Sequence, residues 1–172
     1  WLHSLKAAVR NGELYSASLP ITIPNKCNLA GQVYGGPVIL IADTDTYSAG
    51  DLFSAGFVDN GIGRMVCVGD STGAGGASVW TYAEMRRFAA RTVRRMIPPL
   101  PKGGGLQFSF MRATRVGPSL GALIEDVGVS VGPPDRYRIT RDDLLCENRD
   151  LIAHCIGWLD KQPYTVMACK PS

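Results

Sequence analysis

Residues 38–68 carry the pattern that most constrains the fold of this chain. An apolar run at 38–42 (VILIA) meets a polar turn, Asp43-Thr44-Asp45-Thr46-Tyr47. Ser48 follows, then an apolar pattern of helical spacing over 49–58, breakers at Asn60-Gly61 and Gly63, and a second apolar run at 65–68 (MVCV). Short apolar runs bounded by turn residues read as buried strands, and two joined by a helix within about thirty residues read as a parallel βαβ crossover. An α/β core is therefore expected. Ser48 stands on the strand-to-helix connection, where the first N–H groups of the helix have no partner inside it and can face a developing oxyanion. The segment Thr46-Tyr47-Ser48-Ala49-Gly50 departs from the nucleophile-elbow pattern GxSxG only at its first position. Ser48 is thus a candidate nucleophile; the plainer alternative is a helix N-cap, a place serine favours.

With 172 residues, 45% of them hydrophobic and 19% charged, the chain has material for a sizeable core, and one domain is the simplest expectation. A net charge of +3 is mild and does not by itself imply a nucleic-acid partner. Cys27, Cys67, Cys146, Cys155 and Cys169 form no CxxC pair and leave an odd one over. That argues against a zinc site and a complete disulfide framework, and for reduced, mostly buried thiols. No uncharged apolar run approaches the roughly twenty residues of a membrane helix, and no signal-peptide pattern opens the chain. Its compartment stays open between secreted and cytoplasmic.

Leu2, Leu5 and Val9 predict a helix over 2–10 that stops at Asn11-Gly12. Pro20 and Pro24 favour an extended or irregular segment over 14–24, and glycines make 25–36 a loop. Beyond the central unit, 70–77 (DSTGAGGA) reads as a polar loop. Tyr82, Met85, Ala89, Val93 and Met96 predict one helix over 80–96 with its arginines on other faces. A Pro- and Gly-rich linker spans 97–105, and alternation of Leu106, Phe108 and Phe110 predicts a half-buried strand over 106–116. A turn covers 117–121 and a short apolar segment 122–131. Thr140 with Asp143 resembles a capping box opening a single last helix through Leu151 and Trp158.

A serine nucleophile needs a base. His3 and His154 are the chain's two histidines, and each reads better as an ordinary surface or core residue. None of Lys6, Lys26, Lys102, Lys161 and Lys170 lies near the central unit in sequence. The 69–76 loop (GDSTGAGG) lacks the GK[ST] ending of a phosphate-binding loop and reads as a place of close backbone approach. The arginines at 86, 87, 91, 94 and 95 read as a solvated face before an acidic-partner site.

Residues 37–76 resemble the nucleophile region of the tail-specific and C-terminal processing peptidases, in the branch of tricorn core protease and the chlamydial protease-like activity factor. The resemblance rests on Ser48-Ala49-Gly50-Asp51, Asp59-Asn60, the run from Arg64 to Asp70 (RMVCVGD) and Thr72-Gly73-Ala74-Gly75-Gly76, in that order and spacing. It implies a crotonase-like ββα spiral, of which residues 1–160 would be the C-terminal part. Where the processing peptidases carry a lysine base, this chain has Gly75, so a serine–lysine pair is not expected. The tricorn-like branch uses serine, histidine and glutamate, and its glutamate segment resembles Ile124-Glu125-Asp126-Val127-Gly128-Val129.

On this resemblance Ser48 is the nucleophile, the Ala49 N–H an oxyanion donor, Glu125 the acid that supports the histidine, and Gly73, Gly75 and Gly76 line the substrate. The histidine and a Gly-rich segment lie upstream in that branch. Because this chain begins at Trp1, both are expected outside it, in an upstream half of the same catalytic domain. The expected activity is metal-free and cofactor-free endopeptidase chemistry on a protein or peptide. Two rivals remain open: an α/β-hydrolase-type esterase using His154, and an inactive peptidase-like scaffold whose cleft holds a peptide or lipid.

Overall fold

The computed structural model describes residues 1–22, 27 and 34–163. The chain divides into two compact units, Trp1–Gly36 with Pro163–Ser172, and Pro37–Gln162. The first contains helix α1, Leu2–Asn11. Gly12 closes it in the left-handed conformation (φ 72°), where a side chain would be strained and a glycine is not. The described residues of the 14–24 segment are irregular; 23–26 and 28–33 of the extended and loop segments lie outside the described residues.

The second unit is built on the expected crossover. Strand β1, Ile39–Asp43, leads through a turn to helix α2, Ala49–Asp59, and on to strand β2, Arg64–Val68. β1 and β2 pair in parallel, Ile39 opposite Arg64 through Asp43 opposite Val68. The third strand, β5, Arg136–Tyr137, pairs in parallel on the far side of β2, giving the order β1-β2-β5. Nothing in the two residues of β5 marks a strand; the Gly-Pro-Pro break before it and the ion pair of Arg64 with Asp135 bring it alongside β2. The result is a mixed α/β unit with a small parallel sheet.

Side-chain alternation along β2 sorts the core into two layers. Met65 and Cys67 join Ala42, Ala55, Ile124 and Val129 on the α2 side. Val66 turns to the other face and packs with Leu151 and Cys155 of helix α6, Arg149–Leu159. Of the described cysteines, Cys67 and Cys155 are buried while Cys27 and Cys146 are exposed, so the thiols are not mostly inside. Cys169 lies outside the described residues.

Two expected helices are broken. The 80–96 segment splits: Trp80 and Thr81 end strand β3, Ala77–Thr81, and helices α3, Tyr82–Phe88, and α4, Arg91–Met96, follow. β3 pairs antiparallel with β4, Gln107–Arg112, in a two-stranded ribbon with an irregularity at Ser78/Val79. The shift leaves Phe110 without a partner residue, and Leu106 precedes β4, so of the alternating Leu106, Phe108 and Phe110 only Phe108 is half-buried while the other two are exposed. The Thr140 and Asp143 capping box forms as expected, but it opens a five-residue helix, α5, Arg141–Leu145. Glu147 and Asn148 take positive φ and break the chain before α6.

Candidate active site

The turn after β1 is tied to the strand end by Asp43. Its carboxylate accepts hydrogen bonds from Asp45 N (3.0 Å), Thr46 N (2.9 Å) and the Thr46 hydroxyl (3.0 Å), an Asx turn. Ser48 comes next, with φ 57° and ψ −106°, and α2 begins at the following residue. A non-glycine residue in so sparsely populated a region stores strain on the order of 1–3 kcal/mol, and surrounding contacts must hold it there. The Ser48 hydroxyl makes no capping hydrogen bond, so the N-cap role the sequence also allowed is not what its side chain does. Ser48 is exposed, and Ala49, as the first helical residue, offers an N–H that helix geometry leaves without an internal acceptor.

The glycine loop closes on this elbow. Gly73 N donates to Thr46 O (2.9 Å), and a Cβ on Gly73 would stand 2.5 Å from the Tyr47 ring and 2.6 Å from Thr44 O. A Cβ on Gly75 would stand 2.6 Å from Ser48 N and 2.8 Å from its Cα. Both contacts are with backbone, which cannot swing away, so no side chain fits at Gly75 while the elbow holds its shape.

Asp51 holds the loop in this position. It is fully buried one turn into α2, accepts hydrogen bonds from Gly75 N (2.8 Å) and Ala74 N (3.1 Å), and is bonded by the Thr72 hydroxyl. That hydroxyl also accepts from Val129 N (2.8 Å), so one threonine joins α2, the loop and the 124–130 segment. Asp51 and Thr72 lie inside the sequence patterns quoted above, which do not reveal this bracing role. The available signal is an acid in the first turn of a helix whose following residues, 52–58, are apolar or small.

Glu125 is half-buried beside the same loop. A Cβ on Gly76 would stand 3.0 Å from the Ile124 side chain and 3.2 Å from Glu125 N, and Asp126 N donates to Ala74 O (2.9 Å). Ser48, Ala49, the three loop glycines and Glu125 therefore belong to one neighbourhood, linked through residues 73–76. Below the elbow, burial first and then the charges of Asp43 and Asp70 push the Cys67 thiol up, which keeps it neutral and unreactive.

His154 is on α6, whose residues pack on the sheet face opposite α2, and its ring lies 5.5 Å from that of Tyr137. His3 is on α1 in the other compact unit. Among the described residues no group of three or more His, Cys, Asp and Glu side chains could hold a metal ion, and no helix is long and apolar enough to cross a membrane. No family model matches the chain, and no curated protein matches it.

Proposed function

We propose that this chain is the C-terminal part of a crotonase-like serine endopeptidase domain, with Ser48 as nucleophile. The observation that supports this best is the strained, exposed, uncapped Ser48 at a strand-to-helix elbow against which a glycine loop is pressed. Strain kept at an exposed serine where capping would be easier is what a nucleophile elbow requires. Ser48 Oγ attacks the scissile carbonyl, the Ala49 N–H stabilises the oxyanion, and the amine leaves with the proton removed from Ser48, forming an acyl-enzyme that water then hydrolyses. The base is a histidine supplied by a partner segment outside this chain and supported by Glu125. The position of α6 behind the sheet counts against His154 in that role, and so against the α/β-hydrolase alternative.

The test is covalent labelling. A fluorophosphonate probe should modify Ser48 when the chain is joined to a segment bringing a histidine and a second oxyanion donor, and Ser48→Ala should abolish both labelling and peptide cleavage. Full cleavage by Ser48→Ala in that assembly would sink the assignment. Peptide binding without labelling would favour the inactive scaffold.

A further inference from the structure

We propose that the β3–β4 ribbon with α3 and α4 is a docking surface for an anionic lipid bilayer, independently of any chemistry at Ser48. The charge of the molecule is concentrated there. Residues 77–112 hold seven arginines and lysines against the single acid Glu84, a net +6 in a chain whose total is +3, so the remainder carries −3. Glu84 is engaged in the capping box with Thr81.

The arginines divide into two sets. Arg86 Nε donates to Ile97 O (2.6 Å), and Arg94 Nη2 donates to Arg87 O (3.0 Å) and Ala89 O (3.1 Å). With the bond from the Tyr82 hydroxyl to Pro98 O (2.7 Å), these fix α3, α4 and the following turn as one scaffold. Arg87, Arg91 and Arg95 are exposed and their guanidinium groups take no part in those bonds, with the Arg87 guanidinium lying over the Phe88 ring (5.7 Å to its centre). Neither helix buries a residue: Phe88 is 64% exposed and Met96 80%, with Val79, Val93 and Leu106 about half exposed nearby in the chain. Trp80 stacks against Phe88 and Phe110 (5.4 and 4.5 Å between ring centres) and stiffens the base of this surface.

An acidic peptide or a nucleic acid would complement the guanidinium groups but leave Met96, Val93 and Leu106 in water. A bilayer interface takes both kinds of side chain, guanidinium groups among anionic headgroups and apolar groups at the acyl boundary.

Vesicle partitioning of the chain tests this. Binding to phosphatidylcholine vesicles containing about 30% phosphatidylserine should exceed binding to phosphatidylcholine alone by about ten-fold or more and weaken with added salt. Changing Arg87, Arg91 and Arg95 together to Gln should erase that preference, and changing all three to Lys should keep it. Phe88→Ser with Met96→Ser, which leaves the charge unaltered, should weaken binding about ten-fold. All five positions are exposed, and circular dichroism verifies that each variant is folded. Equal binding to neutral vesicles overturns the proposal, as does indifference to the Phe88 and Met96 changes. Tighter binding to polyglutamate or to a single-stranded oligonucleotide overturns it in favour of an acidic macromolecule.

Discussion

At Ser48 the backbone is held in a conformation that serine does not choose, and the residues that hold it are Asp51, Thr72 and Gly75. The buried Asp51 carboxylate fixes the loop N–H groups, and Gly75 then presses its bare Cα side against the Ser48 backbone. This gives a steric reason why a lysine cannot occupy position 75 here: its Cβ alone would overlap Ser48 N. Gly75→Ala should therefore destabilise the unit by about 1–3 kcal/mol and displace the elbow. Chemical denaturation would measure the loss. A Gly75→Ala chain as stable as its parent would show that the loop does not bear on Ser48. Sequence patterns located Ser48, Gly75 and Glu125, but the part played by Asp51 was hidden, because an acid at a helix start is usually just a partner for the helix dipole.

At the level of elements, the parallel crossover was legible because its two signals, short β-rich runs and a helix of small and apolar residues, agree with their tertiary use. The 80–96 segment failed for the opposite reason. Its apolar face is half-buried at Tyr82 and Met85 of α3 but exposed at Val93 and Met96 of α4, and pairing of Trp80 with Phe108 across the ribbon draws the start of the segment into β3. The last helix divides because Asp143 serves two helices at once. Its carboxylate accepts from Thr140 N (2.9 Å) in the α5 capping box and from Leu151 N (2.8 Å) in the first turn of α6. Thr140→Ala removes the cap, and the expected cost is about 1 kcal/mol, a fall in Tm of about 2–4 °C for a chain of this size. An unchanged Tm would mean that Asp143 alone organises the junction.

For the whole molecule, the same carboxylate links the α6 layer of the sheet unit to pH, through Tyr137 and Leu151. Burial disfavours charge on Asp143, but hydrogen bonds from Thr140 N, Leu151 N and the Tyr137 hydroxyl outweigh it and pull its carboxyl down to about 2. Tyr137, at the end of β5, is pushed up to about 12 by burial first and then by its bond to Asp143 (2.8 Å). A carboxyl lowered on folding stabilises the folded state above its unfolded value, and that contribution disappears as pH falls from about 4 to about 2. A phenol raised on folding stabilises below its unfolded value and loses its contribution as pH rises from about 10 to about 12. Thermal melting across the pH scale should show both losses, and Tyr137→Phe should remove the alkaline one and, by taking one hydrogen bond from Asp143, reduce but not abolish the acidic one. A flat alkaline limb in the parent would contradict the Tyr137 assignment.

The amino-acid sequence by itself determined the βαβ unit, the serine at its turn, the Thr140 and Asp143 capping box and the glycine loop, because these depend on neighbours within a few residues. Tertiary structure alone decided that Ser48 is strained and uncapped, that Asp51 and Thr72 brace the loop, that Arg136 and Tyr137 form a strand, and that His154 lies behind the sheet. Each of those depends on which chain segments meet across space, through pairing and burial contacts between residues tens of positions apart, and local periodicity does not record such meetings.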